Sequence, residues 1–374
     1  MPKLLFLVTE DWYFCSHRLP LARAAQAAGY EVVVATRVGR HGAAIAAEGF
    51  KLIPIRLRRS SRNPLRELLA IAEIAAIYRR ERPDIVHHVA LKPVLYGSLA
   101  ARMARVPSVV NALAGMGFVF SSMSLQARLL RPPVAGALRW LLGVGNSLLV
   151  LQNPDDRKML VDSGVVEAQR TRLIRGSGVD TGSFAMTPQP GGTPCVVLPA
   201  RMLRDKGVME FVAAARLLRA CGVAARFVLV GGSDGENPAA IPEAQLCAWH
   251  AEGAVEWWGH RGNMSEVLAQ AHIVCLPSYR EGLPKILLEA AACGRALVAT
   301  DVPGCREIVI DGENGLLAPP RDAAALAAVI GRLLDKPGLR AKMGQRGRAL
   351  VEAEFSVEQV VLQTLAVYRE LSMP

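Results

Sequence analysis

The sequence predicts an α/β protein made of two doubly wound parallel-sheet domains. Three observations predict it. The chain has 374 residues, too many for one ordinary domain and enough for two that each bury a core. Short Val/Ile/Leu-rich runs alternate with helical blocks through the first half. The same alternation restarts after "FAMTPQPGGTPC", Phe184 to Cys195, where prolines and glycines replace any apolar period.

Taken in order, the first series places strands at Leu4–Val8, Glu31–Ala35, Lys51–Ile55, Asp84–Val89, Ser108–Asn111 and Ser147–Leu151, with helices such as Arg18–Ala28 and Pro64–Arg80 between them. The second places strands at Cys195–Pro199, Arg226–Val230, Val255–Trp257, Ile273–Leu276 and Ala296–Ala299. Domain limits of 1–187 and 188–355 follow, and a helical tail over 356–374 is expected to return to the first domain. Ligands of such folds bind beyond the carboxyl ends of the strands, so the two domains are expected to face each other across a cleft.

Composition narrows the class. No apolar stretch reaches the length of a membrane span, and the six-residue apolar run near the start is followed by Glu10 and Asp11, which fits a first buried strand and a cytoplasmic protein. Seven scattered cysteines with no Cys-x-x-Cys pair argue against a disulfide framework or a thiolate metal site. The net charge of +11 is uneven: residues 1–185 hold 25 Lys+Arg against 13 Asp+Glu, giving +12, and the remaining 19 against 20 give −1. The excess is densest from Lys51 to Arg139, including Arg56, Arg58, Arg59, Arg62, Arg66, Arg128, Arg131 and Arg139. Such a surface attracts phosphate-rich partners.

Two acids stand out in "SYREGLPKILLEAAACG" because Glu281 and Glu289 bracket an otherwise apolar stretch of the composition found in a helix packed on a sheet. Pro284 suits the first helical turn, which leaves Glu281 and Gly282 in the preceding loop and Glu289 more than a turn inside. In "LPARMLRDKGVMEF", Arg201 follows a predicted strand and Lys206 precedes a helix, an arrangement that makes a diphosphate clamp from two cations and helix N–H groups. The plainer reading is solvated cations and a glycine turn, with the acids salt-bridged to Arg280 or Lys285.

Together, "RMLRDKG", "EGLPKILLEAAACG" and "PGCREIVIDGENGLL" resemble the signature of the family-four glycosyltransferases, retaining enzymes of the GT-B fold. The resemblance extends through "RGSGVD", "QNPDD", "DWYFCSHRLPLARAA" and "VHHVALKPVLYGSLAAR" to nearly the whole chain, and the N-terminal segments look most like enzymes that extend undecaprenyl-diphosphate-linked sugars. It implies that Arg201 and Lys206 hold the donor diphosphate, that Glu289 accepts the ribose hydroxyls, and that Glu281 touches the donor sugar. Amides near Gly282 and Leu283, beside Pro284, would cap the phosphate. A carboxylate accepting two hydroxyls explains acids in an apolar wall.

Further candidates belong to the same picture. His87 and His88 are expected at the end of a first-domain strand, and one of them matches the histidine the family sets near the reacting sugar; alternation lets only one point inward, and the sequence does not say which. Lys92 follows closely, as a phosphate contact or a snorkelling surface lysine. His17 and Arg18 are expected in a loop after the first strand, on the acceptor side with Gly115 of "GMG", which lacks the third glycine of a dinucleotide fingerprint. Gly231 opens "GGSDGEN", a strand-end loop placed near the nucleotide base. Trp257 and Trp258 read as core and rim.

No Asp-x-Asp occurs, so metal independence is expected and no cofactor beyond a UDP-sugar substrate. The partners implied are a nucleotide-sugar donor, a lipid-linked glycan acceptor and an anionic membrane surface met by the Arg56–Arg82 segment and "LQARLLRPPVAGALRWLLG". A UDP-sugar 2-epimerase shares such domains, and a nucleic-acid surface would use the same charge, but no nucleic-acid recognition motif is present and aromatics make up only 5% of the chain.

Overall fold

The computed structural model describes residues 1–58, 63–113, 115, 125–143, 145–235 and 237–372. Arg59, Arg62, Met116, Gly117 and Glu236, which the sequence reading drew on, lie outside these residues. The chain divides into two compact units, Met1–Ser177 with Glu358–Pro374, and Gly178–Val357.

The first unit holds a seven-stranded sheet of β1 (Lys3–Glu10), β2 (Glu31–Arg37), β3 (Lys51–Pro54), β4 (Ile85–Val89), β5 (Ser108–Leu113), β6 (Asn146–Leu151) and β7 (Thr171–Leu173), in the order β3-β2-β1-β4-β5-β6-β7. All pairings are parallel, as expected of strands buried on both faces and joined by helical crossovers. The helices Pro64–Glu81, Leu91–Ala104 and Leu125–Leu142 lie side by side on one face. There Ile74, Tyr78, Ala100 and Ala101 pack on Leu5, Leu7, Val33 and Val86. The helix Pro64–Glu81 starts where it does because Pro64 fills its first position and the Asn63 side chain accepts from the N–H groups of Leu65 and Arg66.

The opposite face carries the chain's last helix, Val357–Ser372. Val360, Leu365, Val367, Tyr368 and Leu371 are buried among Phe6, Val34, Tyr30 and Val110. The Leu371 carbonyl at its end accepts from Ser108 Oγ at 3.0 Å and Asn146 Nδ2 at 2.8 Å, so the helix end is not left unsatisfied.

The second unit holds six parallel strands, β8 (Cys195–Pro199), β9 (Arg226–Val230), β10 (Glu256–Trp257), β11 (Ile273–Leu276), β12 (Ala296–Thr300) and β13 (Gly315–Ala318), in the order β10-β9-β8-β11-β12-β13. β7 and β13 were not anticipated.

The unit boundary at Ser177/Gly178 falls ahead of the expected 187/188. The Pro/Gly-rich stretch is pinned to the second unit: the buried Arg295 guanidinium donates to the carbonyls of Thr187 at 3.0 Å and Pro188 at 3.2 Å. Arg348 Nη1 reaches the Phe184 carbonyl at 2.8 Å. A guanidinium that saturates several carbonyls satisfies backbone that has no ladder partner.

Candidate active site

In each sheet the strand order reverses beside the first strand, between β1 and β4 and between β8 and β11, and the crevice at such a reversal is where open α/β sheets bind ligands. The sequence motifs follow these strands.

In the second unit, Arg201 lies just past β8, exposed, with Nη1 2.7 Å from Asp234 Oδ2 in the loop after β9. Lys206 ends a short 3₁₀ turn, Arg204–Lys206, and Gly207 follows at φ 70°. A Cβ at Gly207 would stand 2.0 Å from the Pro277 carbonyl oxygen, so only glycine lets this loop touch the one after β11. Tyr279 N–H donates to the Asp205 carbonyl at 2.9 Å and joins the same two loops. The consequence is that Lys206 Nζ sits 2.5 Å from Glu281 Oε1. Gly304, from the "PGCREIV" motif, backs this loop: at φ 83° its Cβ position lies 2.5 Å from the Gly282 carbonyl oxygen.

The following helix is Lys285–Ala292, with Pro284 as its extended N-cap rather than its first helical residue. The proline ring and Leu283 are buried, so the turn before the helix belongs to the apolar wall. Glu289 lies in the second turn, 9% exposed, with Lys285 Nζ 3.1 Å from its Oε1. Burial raises the Glu289 carboxyl above the usual range and the Lys285 charge opposes the rise. The plain salt-bridge reading thus holds for Glu289, whereas the partner of Glu281 is Lys206. Gly231 closes β9 at φ 150°, and Trp257 Nε1 donates to its carbonyl at 2.9 Å.

In the first unit, His17 and Arg18 do not lie in a loop. A helix, Asp11–His17, follows β1 directly, and Arg18 joins it to the helix Leu19–Ala27. Asp11, 3% exposed, holds this turn by accepting from the N–H groups of Gly39 at 2.6 Å and His41 at 2.9 Å. His17 stacks on Tyr13 with ring centroids 4.1 Å apart. Arg18 is 5% exposed and lines a small cavity with His87, Gln152, Leu113, Gly176 and Thr364, with room for about one water molecule. Its Nε has no hydrogen-bond partner among the described residues.

The histidines are not at a strand end. They occupy the middle of β4, both buried, on opposite faces. His87 Nδ1 lies 2.5 Å from the Tyr368 hydroxyl, its ring stacks on Phe6, and its Nε2 is unpartnered among the described residues. Burial, with the Arg18 and His88 charges adding to it, pushes its pKa well below the ordinary value, so it is neutral. His88 points the other way, bonded to Tyr78 at 3.0 Å and Asn111 at 2.8 Å, and Gly97 leaves it room. With no exposed surface, His88 is a core histidine. Lys92 Nζ lies 3.1 Å from the Glu67 carboxylate and donates to the Arg58 carbonyl at 2.9 Å. Gly115 stands at φ 112°.

Sequence reasoning missed Asp234, Gly207, Gly304 and Gln152. All four lie inside stretches the sequence singles out, Gln152 in "QNPDD" and Asp234 in "GGSDGEN", but nothing in the residue pattern gave them individual roles.

Residues 193–336 match the family described as Glycosyl transferases group 1, and residues 3–144 match Glycosyl transferase 4-like. The putative glycosyltransferase EpsD of Bacillus subtilis is 31% identical over 382 residues, covering 98% of this chain and 96% of that one. The chain belongs to the group 1 glycosyltransferases. This transferase is also 28% identical, over 88% of each chain, to the N,N'-diacetylbacillosaminyl-diphospho-undecaprenol alpha-1,3-N-acetylgalactosaminyltransferase of Campylobacter jejuni. Among solved structures it superposes on sucrose-phosphate synthase of Thermosynechococcus elongatus with a TM-score of 0.82 at 23% identity, covering 99% of both chains. It superposes on Anabaena HepE in complex with UDP-glucose at 0.78 and 19%, covering 99% and 100%. At these identities the likeness concerns the fold, which is GT-B.

Proposed function

We propose that this glycosyltransferase moves a hexose or N-acetylhexosamine from a UDP-sugar to a saccharide carried on undecaprenyl diphosphate, with retention of anomeric configuration and without a metal, in the assembly of a surface glycan. The observation that carries the donor half is the Lys206–Glu281 pair at the β8/β11 reversal with buried Glu289 in the helix beyond it. Lys206 and Arg201 are held on Glu281 and Asp234 in the free protein. An arriving diphosphate takes over these cations, which frees Glu281 and Asp234 to accept hydroxyls. When the diphosphate departs, charge grows on its oxygens beside cations already in position, and this is electrostatic catalysis by preorganised groups. The acceptor hydroxyl attacks the same face of an oxocarbenium-like centre as the bond to the diphosphate breaks, its proton passing to the departing diphosphate oxygen, and no enzymatic nucleophile is assigned. The alpha linkage in the name of the Campylobacter relative is the product that retention gives from an alpha-linked nucleotide sugar.

The acceptor half rests on that relative's diphospho-undecaprenol acceptor and on the surface of the three-helix layer of the first unit. Leu65, Leu68 and Leu69 are 72%, 63% and 69% exposed at i, i+3 and i+4 on the helix Pro64–Glu81, with Arg66 among them. Leu129 and Trp140 stand out on the helix Leu125–Leu142 beside Arg128 and Arg139. Apolar side chains interleaved with arginines suit an anionic membrane surface, on its cytoplasmic side. Among the described residues no helix is long and apolar enough to cross a membrane.

The test is a thermal-shift screen of UDP-, GDP- and dTDP-sugars, followed by transfer to undecaprenyl-diphosphate-linked acceptors with the product's anomeric configuration read by NMR. Stabilisation by a UDP-sugar and an alpha-linked product are expected; an inverted product or stabilisation only by GDP- or dTDP-sugars sinks the proposal.

A further inference from the structure

A second cavity, of about 260 Å³, opens at the other end of the first unit's sheet, where β5 and β6 begin. Its walls come from the helix Leu91–Ala104 (Ser98, Ala101, Arg102), the turn Arg105–Pro107, Leu141, and the strand starts Asn146 and Ser147. None of the residues described above as donor or acceptor candidates lines it.

Its chemistry is one-sided. Arg102 and Arg105 both line it, both are exposed, and neither has a carboxylate within ion-pair distance among the described residues. No Asp or Glu lines it. Two more guanidinium groups reach its rim: Arg79 Nη2 donates to the Met103 carbonyl at 3.3 Å, and Arg170, itself paired with Glu167 at 3.7 Å, donates from Nη1 to the Gly145 carbonyl at 2.9 Å. The floor supplies hydroxyls, with Ser98 and Ser147 joined through Asn111. Beside it stands an apolar lip. Arg102 lies 4.3 Å over the ring of Trp140, which is 52% exposed, and Met103 is 48% exposed. Met103 and Trp140 belong to the helices Leu91–Ala104 and Leu125–Leu142 of the three-helix layer.

We propose that this cavity binds the phosphodiester headgroup of an anionic lipid, with Arg102 and Arg105 on the phosphate and the acyl chains running over Trp140 and Met103. Guanidinium pairs match phosphate oxygens geometrically, and a free phosphate would use the cations but leave the apolar lip unoccupied. This rests on the membrane reading above and adds to it a defined headgroup site.

The test titrates the full-length protein calorimetrically with dihexanoyl phosphatidylglycerol below its micelle concentration, and separately with inorganic phosphate. Saturable lipid binding, tighter than phosphate, is expected. Arg102→Gln/Arg105→Gln should weaken it about thirtyfold, from about 1 kcal/mol per cation, while Arg219→Gln/Arg332→Gln, at exposed arginines of the second unit, leaves it unchanged. The proposal is overturned by the absence of saturable lipid binding, by phosphate binding equally well, or by an equal loss in both double variants, which would mean diffuse charge alone. Sedimentation with phosphatidylglycerol vesicles, compared with Leu65→Ser/Leu68→Ser/Leu69→Ser, tests the membrane reading independently. Soluble-lipid binding without vesicle capture keeps the cavity and removes the membrane reading; vesicle capture without soluble-lipid binding removes the cavity.

Discussion

The ammonium of Lys206 rests 2.5 Å from Glu281 Oε1, although the two residues lie on loops after different strands. The pair therefore reports how β8 and β11 are joined at their carboxyl ends. If Lys206 waits there for a diphosphate, Lys206→Ala should lower kcat by on the order of 100-fold or more. The cost to the fold should stay at about 1–3 kcal/mol, since the pair is part-buried and Glu281 loses its partner. Steady-state kinetics beside a melting curve checks both halves; a large loss of melting temperature with unchanged kcat would make the pair purely structural.

Glu289 should show the opposite balance. Its folded pKa is raised by burial, so the native state holds its proton more tightly than the unfolded chain does. Between the unfolded pKa and the raised folded one, stability falls as pH rises, and at neutral pH the ionised form destabilises the fold. Glu289→Gln removes that cost, so the melting temperature at pH 7 should hold or increase. The response to a UDP-sugar should weaken by about 10- to 100-fold in Kd, the worth of hydrogen bonds to a charged acceptor. Thermal shift with and without ligand measures both; an unchanged Kd would remove Glu289 from the site.

Gly304 offers a test of the motif that carried no predicted role. Alanine there must adopt φ 83° and put a methyl 2.5 Å from the Gly282 carbonyl oxygen. The left-handed backbone alone costs about 1–2 kcal/mol. The contact should push the Glu281–Gly282 segment away from Lys206. Gly304→Ala is expected to raise the donor KM while Gly338→Ala, at a glycine outside the site with nothing within 4 Å of its Cβ position, serves as the control. Equal donor KM values in the two variants would separate Gly304 from the site.

The parts of this architecture legible in the sequence are those set by long apolar runs. β8, β9 and β11 begin and end where the residue pattern places them, because each is a buried strand with turn residues on both sides. β7 and β13 are the terminal strands of their sheets, "TRL" and "GLLA", too short to stand out from a loop. The donor-side motifs could be placed because glycine, proline and charge fall at strand ends together. The histidines could not. A period of two shows that His87 and His88 diverge, but whether either meets a cavity depends on Tyr368, 281 residues away from His87, and on Gly97. Likewise the prolines and glycines of Phe184–Cys195 mark irregular backbone, while its attachment to the second unit depends on Arg295 and Arg348 far along the chain.

The buried histidines also set a pH limit. His88 is pushed down to about 4 by burial, with the Asn111 hydrogen bond opposing, and His87 is held well below its ordinary value by burial and by Arg18. Both are neutral in the native state and take up protons only on unfolding near their ordinary pKa. Stability is therefore full above about pH 6.5 and is lost as pH falls toward the folded values. The His88 shift alone corresponds to on the order of 3 kcal/mol. His88→Gln should be less stable than wild type at pH 7.5, having lost the bonds to Tyr78 and Asn111, yet its melting temperature should fall less steeply between pH 6.5 and 4.5. Melting curves across that range decide the matter: parallel slopes in wild type and variant would show that His88 is not a source of the acid sensitivity.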